Sequence, residues 1–244
     1  MKAKSVKSKD VLKVIGPRVP SGIPGFDTHL GGGLIPLSVN LISGGTGTGK
    51  TIFCMQYLFS GAKDYGETGL YLSFEETEDA LKADVKQLGI DLDMVPGKVK
   101  IVYVSPYDVR DFIPLLSSYL QQLRPKRVVL DSLSALEMHM EDDFERKKQI
   151  YKINELLKKF GCTSLLISEI PSENAMGSET VARFSKFGIE EFLCDGVIAL
   201  YYAGIGGESD RAIRIIKQRR SDHTRSPIPM TIGQGGLKLS TVKY

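Results

Sequence analysis

The sequence predicts an α/β fold: a mostly parallel central sheet with helices on both faces, extended on its C-terminal side by antiparallel strands. Three observations carry this. Short apolar, β-branched runs alternate with segments of helical spacing between residues 38 and 167, which demands parallel strands covered on both sides. A glycine-rich turn, Gly44-x-x-x-x-Gly49-Lys50-Thr51, joins the first such run to the first long helical segment. After about residue 193 the helical periodicity stops and close-spaced strand patterns follow.

The 244 residues suffice for one α/β domain with a substantial core. Residues 1–17 read as a basic, flexible tail with Lys2, Lys4, Lys7, Lys9 and Lys13 among few apolar side chains, and 18–244 as a single domain. A net charge of +3 is ordinary and does not by itself argue for nucleic acid. Cys54, Cys162 and Cys194 stand alone, with no C-x-x-C pair and only 3 His, so neither a disulfide framework nor a zinc site is supported. No apolar run reaches the ~18–20 residues of a membrane span, and the basic N-terminus is not followed by an apolar leader segment. The expected setting is cytoplasmic.

In chain order, prolines and glycines over 19–36 mark turns, with one short helical turn around Phe26 and Leu30. Ser38–Ile42 is a buried strand, and Thr51 opens a helix through Ile52, Phe53, Met55, Leu58 and Phe59. Leu70–Phe74 is a strand, and Thr77–Leu88 a helix with Ala80, Leu81, Val85 and Leu88 on one face. Val99–Val104 is a strand; Asp108–Leu123 is a helix stopped by Pro125. Arg127–Leu130 is a strand, Phe144–Phe160 a helix ended by Gly161, and Thr163–Ile167 the next strand. Gly196–Tyr202, Ala212–Lys217, Pro229–Ile232 and Leu237–Leu239 are strands, expected to run antiparallel.

The strand–turn–helix context turns the glycine pattern into a phosphate cradle. Gly44, Gly45, Thr46, Gly47, Thr48 and Gly49 let successive backbone N–H groups fold around anionic oxygens, and the helix beginning at about Lys50 adds the positive end of its dipole. Lys50 reaches β- and γ-phosphates, and the Thr51 hydroxyl suits a magnesium ion, which needs only one or two protein oxygens beside phosphate. This implies a nucleoside triphosphate.

Hydrolysis also needs a carboxylate near the ion and a base to orient water. Asp131 ends the apolar run Val128-Val-Leu at the carboxyl edge of the sheet, where ligands of open α/β sheets bind. The next residue is Ser132, not a glutamate, so the base must come from elsewhere. Glu75 and Glu76, at the end of the strand after the loop-following helix, are the candidates. Ser168 and Glu169, at the end of a later strand, are candidate γ-phosphate sensors. Arg211–Arg225 combines a strand with several cations, of which Lys217 and Arg219 alternate onto one face. They suit the phosphates of nucleic acid or of a nucleotide held by a neighbouring subunit.

Ser21-Gly-Ile-Pro-Gly-Phe-Asp27, the Gly31–Gly33 run, Ser43-Gly-Gly-Thr-Gly-Thr-Gly-Lys-Thr51 and Ser73-Phe-Glu-Glu76 together resemble the RecA-like ATPase domain of KaiC. So do Asp131-Ser-Leu133, Phe187-Gly-Ile-Glu-Glu-Phe192, Asp195-Gly-Val197 and Ile216-Lys-Gln-Arg219 followed by His223. KaiC carries two such domains in tandem; this chain is similar to the stand-alone archaeal KaiC-like proteins, relatives of RadA-type recombinases. The resemblance implies a homo-oligomeric ring, typically a hexamer, with ATP or ADP and Mg2+ at each interface. Lys217, Arg219 and His223 would then reach in from the neighbouring subunit. Circadian timing is not implied by one domain.

Four readings follow. The first is a slow Mg-dependent ATPase ring whose nucleotide state sets assembly or binding of a protein partner. The second is a recombinase relative holding single-stranded DNA through the basic tail or the 170–190 loop, although Pro171–Lys186 offers only Phe184 for stacking and Arg183 and Lys186 as cations. The third is autophosphorylation at Ser178, Thr180 or Ser185, and the fourth a nucleotide-gated scaffold with scarcely any turnover.

Overall fold

The computed structural model describes residues 16–105, 112–138, 140, 142–170, 183–202 and 211–240. Helix α1 is Phe26–His29, followed by β1 (Val39–Gly44), α2 (Lys50–Tyr65), β2 (Gly69–Ser73), α3 (Glu78–Gln87) and β3 (Val99–Tyr103). Next come α4 (Phe112–Leu123), β4 (Arg127–Asp131), α5 (Leu133–Glu137), α6 (Asp143–Lys159) and β5 (Thr163–Glu169). The short α7 (Glu190–Leu193), then β6 (Gly196–Tyr202), β7 (Arg211–Gln218), β8 (Ile228–Gly233) and β9 (Gly236–Leu239) complete the described elements. The predicted start of α4 at Asp108 and most of the basic tail lie outside the described residues.

The strands form one sheet in the order β3-β2-β4-β5-β1-β6-β7-β8-β9. From β3 to β6 all pairings are parallel, and from β6 to β9 antiparallel. One expectation is corrected here. Gly196–Tyr202 opens the antiparallel set by pairing with β7, but on its other side it runs parallel to β1, with Asn40 opposite Gly196 and Gly44 opposite Leu200. The segment from β5 to β6 is therefore a crossover, and a parallel pair requires one. Its only described helix is the four-residue α7, too short for a helical period to register.

Each central strand divides its side chains between two cores, as the two-residue period of a strand dictates. Ile42, Tyr71, Val129 and Leu165 pack against Phe53, Tyr57 and Leu58 of α2, with Phe26 of α1 edge-on to Phe53. Leu41, Leu70, Leu72, Val128, Leu130 and Leu166 face Leu116 and Leu120 of α4 and Ile153 and Leu157 of α6. All three cysteines are buried, in keeping with packing roles. At the base of β4, buried Arg127 stacks on Tyr57, donates to the Pro20 and Tyr57 carbonyls at 2.9 and 2.8 Å, and pairs with Glu67. It ties the glycine-rich entry segment to α2 and β4. Among the described residues, no helix is long and apolar enough to cross a membrane.

Candidate nucleotide site

The carboxyl edge of β1 turns through residues 45–49 into α2. Two glycines have no substitute here. Gly49, immediately before the helix, has φ 102°, and a Cβ on Gly44 would sit 2.4 Å from the Leu200 carbonyl oxygen and 2.7 Å from Thr48 Oγ1. Thr48 Oγ1 and Lys50 Nζ both donate to the Gly45 carbonyl at 2.9 Å. Burial holds the Lys50 amine below its ordinary range, while Glu169, Asp131 and Glu75 act in the opposite direction. An ammonium satisfied only by a loop carbonyl, partly withdrawn from water, is poised to exchange that carbonyl for phosphate oxygen.

Two residues that contact this loop carry no signal of it in the sequence. Tyr202 Oη donates to the Gly47 carbonyl at 3.0 Å, and Arg211, stacked on the Tyr202 ring at 5.1 Å, reaches the same carbonyl at 3.5 Å. They are direct partners across the β6–β7 ladder. Only that pairing brings them over the loop.

The acidic side of the site is built by β2 and β4, whose ends align Ser73 with Asp131. Asp131 Oδ2 lies 3.4 Å from Thr51 Oγ1 and accepts a hydrogen bond from the buried Tyr71 phenol. Burial is the main cause that raises the Asp131 carboxyl to about 6; the Tyr71 bond and Lys50 act against it, and Glu75 and Glu76 with it. Ser132, joined to Asp131 by a cis peptide, donates from Oγ to Glu75 Oε1 at 2.8 Å. Ser73 Oγ accepts from the Glu76 amide at 2.9 Å and, at 3.4 Å, from that of Glu75, folding the Glu75–Glu76 turn over the strand end. Glu75 is thus directed at Asp131. Both glutamates are exposed; for Glu76, partial burial followed by Asp84 and Glu75 keeps the carboxyl above the usual range.

The sensor pair is split. Glu169 shares the α2 side of β5 with Leu165 and Ile167 and acts electrostatically on Lys50. Ser168, one residue earlier, must point to the opposite side. It is fully buried there, donates to Glu190 Oε1 at 3.0 Å, and contacts Ser134 Oγ at 3.4 Å. Its hydroxyl therefore faces away from Lys50 and the phosphate loop. Of the three serine and threonine residues considered as phosphate acceptors, Ser178 and Thr180 lie outside the described residues. Ser185 is buried and donates to Glu191.

Glu190 sits beside Glu137, and both are fully buried. Glu190 accepts from Ser168 and from the Ile189 amide, but neither Glu137 oxygen receives a donor. Burial and the neighbouring Glu190, against Arg146 and Lys186, push the Glu137 carboxyl up to about 9. The folded chain then keeps a proton there that the unfolded chain releases above the ordinary value of 4.5. More protons on the folded state mean that stability falls as pH rises through that window, by up to ~1.4 kcal/mol per pH unit. Glu137→Gln removes this titration while keeping a donor for Glu190. Thermal midpoints at pH 6, 7.5 and 9 should fall less in the variant than in the parent; parallel falls would contradict the assignment.

The predicted cations occupy the other edge of the sheet. Gln218 at the end of β7 pairs with Gly196, which pairs with Asn40, four residues before Gly44. At ~3.3 Å per residue this row lies roughly 13 Å from the phosphate loop along the strand direction, before the width of the two intervening strand spacings is added. A bulge in β7, where Ile216 is the extra residue between Ile215 and Lys217, re-aims Lys217 toward α7. Lys217 Nζ donates to the carbonyls of Glu191 at 2.9 Å and Cys194 at 2.7 Å, capping α7, and burial and Arg219 hold its amine below the ordinary range. Arg219 reaches the Phe192 carbonyl at 3.4 Å and stands 3.9 Å from Asp195, its side chain 53% exposed. His223 lines a cavity of about 380 Å³ with Phe184, Arg214, Ile216 and Arg225. Lys217, Arg219 and His223 do not meet the phosphate loop within one chain.

The donor set fits a hard divalent ion carried in with phosphate. Thr51 and Asp131 offer two adjacent oxygens, whereas among the described residues no group of three or more His, Cys, Asp and Glu could hold a metal alone.

Compared with known proteins, residues 19–243 match the family model described as "ATPase: KaiC". The chain is 27% identical over 246 residues to the circadian clock oscillator protein KaiC of Prochlorococcus marinus, covering 96% of this chain and 47% of that protein. It thus spans about half the length of the KaiC proteins it matches. A UPF0273 protein of Methanocaldococcus jannaschii is 30% identical over 240 residues, covering 90% of this chain and 95% of its own length. The crystal structure of a KaiC-like protein from Pyrococcus horikoshii superposes with a TM-score of 0.78 at 32% identity, over 91% of this chain and 98% of that one. The chain, an α/β domain of RecA-like fold, belongs to the KaiC ATPase family.

Proposed function

We propose that this protein binds ATP with Mg2+ and hydrolyses it slowly to ADP and phosphate in a homo-oligomeric, ring-shaped assembly, with catalytic cations supplied by the neighbouring copy. One observation supports the reading: Lys217 and Arg219 lie at the end of the sheet away from their own phosphate loop, so that any nucleotide they meet would be another chain's. The Arg219 side chain remains more than half exposed there, and His223 lines a cavity with the cations Arg214 and Arg225 and the Phe184 ring. The nucleotide state would then govern assembly or engagement of a protein partner.

In this reading the loop amides of residues 44–49 and Lys50 bind the phosphates, and Thr51 and Asp131 hold the ion. Bound magnesium would neutralise charge on the β- and γ-oxygens. Glu75, oriented by Ser132, holds the attacking water and takes its proton as oxygen–phosphorus bond formation proceeds in line with the leaving ADP. Lys217 and Arg219 of the adjacent copy offset the charge that develops on the transferred phosphoryl group.

Glu75→Gln should lower phosphate release 10²–10⁴-fold with little change in ATP affinity, the range expected for a positioned general base. Glu76→Gln, at a carboxylate without the Ser132 bond, should cost less. Phosphate release is measured with Mg2+, with and without single-stranded DNA. Turnover that does not depend on DNA supports the reading; turnover that appears only with DNA would favour the recombinase-like alternative. Equal effects of the two substitutions would remove Glu75 from its role.

A further inference from the structure

We infer that Tyr71 is a positioning residue for the metal-binding carboxylate: its phenol fixes the Asp131 side chain so that the carboxylate and the Thr51 hydroxyl face one ion together. This rests on the reading of Thr51 and Asp131 as the oxygens that hold the ion.

Tyr71 lies in the middle of β2, fully buried among apolar side chains of the α2 core. A phenylalanine would fill that space, and a buried phenol hydroxyl costs free energy unless it finds a partner. It donates to Asp131, reached diagonally across the β2–β4 ladder, where Tyr71 pairs with Val129 and Ser73 with Asp131, and it also interacts with the Thr51 hydroxyl, so it touches both groups of the ion site. The same Asp131 oxygen is 3.4 Å from Thr51 Oγ1, a long and weak hydrogen bond. An ion taking the Thr51 oxygen would compete for that contact. The Tyr71 phenol is not itself one of the two ion-binding groups, and a carboxylate oxygen has lone pairs for both a donor and an ion, so this bond can persist and keep Asp131 in place. Outer partners of this kind orient ligating carboxylates, and losing one typically costs 10–100-fold in metal affinity.

The test is Tyr71→Phe in the full chain, with Mn2+ as the probe because it takes the same hard oxygen ligands and gives a resonance signal that disappears on binding. Titrating Mn2+ into the protein with ADP should show about a tenfold weaker affinity in the variant. ADP affinity without metal should stay within twofold, and turnover should recover at high Mg2+ with little change in the maximal rate. The Asp131→Asn background supplies the control, since adding Tyr71→Phe there should cost nothing further. Unchanged Mn2+ affinity in Tyr71→Phe, beside a parent that binds Mn2+ with ADP, overturns the inference and leaves the ion site standing. An undiminished loss on the Asp131→Asn background also overturns it, because the phenol would then act elsewhere. A parent that binds no Mn2+ with ADP removes both the ion site and the inference.

Discussion

Lys50→Ala is expected to abolish detectable turnover, a loss of about 10²–10³ or more, while the fold survives. The magnitude is that of deleting one preorganised donor aimed at developing charge, raised here because the group is a full cation withdrawn from water. Removing it leaves Glu169, Asp131 and Glu75 around the phosphate site with their main local counter-charge gone. ATP binding should therefore weaken too, unlike the effect of Glu75→Gln. Folding should tolerate the change, since Lys50 bonds only a loop carbonyl and sits at the first turn of α2. Nucleotide titration and phosphate release on the same preparation check both parts. A variant that kept near-parental turnover would displace the phosphate loop from the centre of the chemistry.

Arg219→Ala should cost about as much or more, 10³-fold or beyond, if it stabilises transition-state charge across an interface. Its contacts within the chain are weak, a 3.4 Å approach to the Phe192 carbonyl and a 3.9 Å pair with Asp195, and more than half of the side chain is exposed. Asp195 is buried but already paired with Lys158 at 2.7 Å, so the long contact to the exposed arginine contributes little to stability. Thermal stability of the separated chain should hardly move. Mixing gives the sharper result. In a shared-site ring, Lys50→Ala and Arg219→Ala copies together create some interfaces with an intact loop on one side and an intact arginine on the other. Activity should reappear in the mixture, after exchange of subunits, at a minor fraction of the parental rate. If Arg219 served its own chain, the mixture would stay as inactive as its components.

How far residues alone could reveal the site depended on whether single residue types forced the geometry. The phosphate loop was legible because only glycine accepts Gly49's backbone and Gly44's proximity to the Leu200 carbonyl. Asp131 was legible because an apolar strand leads to it. Tyr71 was not: in an apolar run it reads as core, and only the pairing of β2 with β4 brings its hydroxyl to the carboxylate. Tyr202 and Arg211 needed the β6–β7 register, and the turn of Lys217 toward α7 needed a bulge that no pattern in Arg211–Gln218 announces. Ser168 and Glu169 were paired as sensors although neighbouring strand residues face opposite ways, so only Glu169 lies on the side of Lys50. The parallel run of β6 was hidden for a related reason. A crossover with a four-residue helix leaves no periodic trace, and the close spacing of the last strands suggested hairpins throughout.

The claim on which all of this rests is that a single chain can hold the nucleotide and carries the general base but lacks the neighbour's cations that complete the catalytic site. It is tested most directly by turnover per chain as a function of protein concentration, with particle mass followed in the same samples under ATP and Mg2+. The account predicts that turnover per chain falls steeply as dilution breaks the assembly into single copies, while ATP binding per chain persists. Undiminished turnover from a particle with the mass of one chain would contradict it.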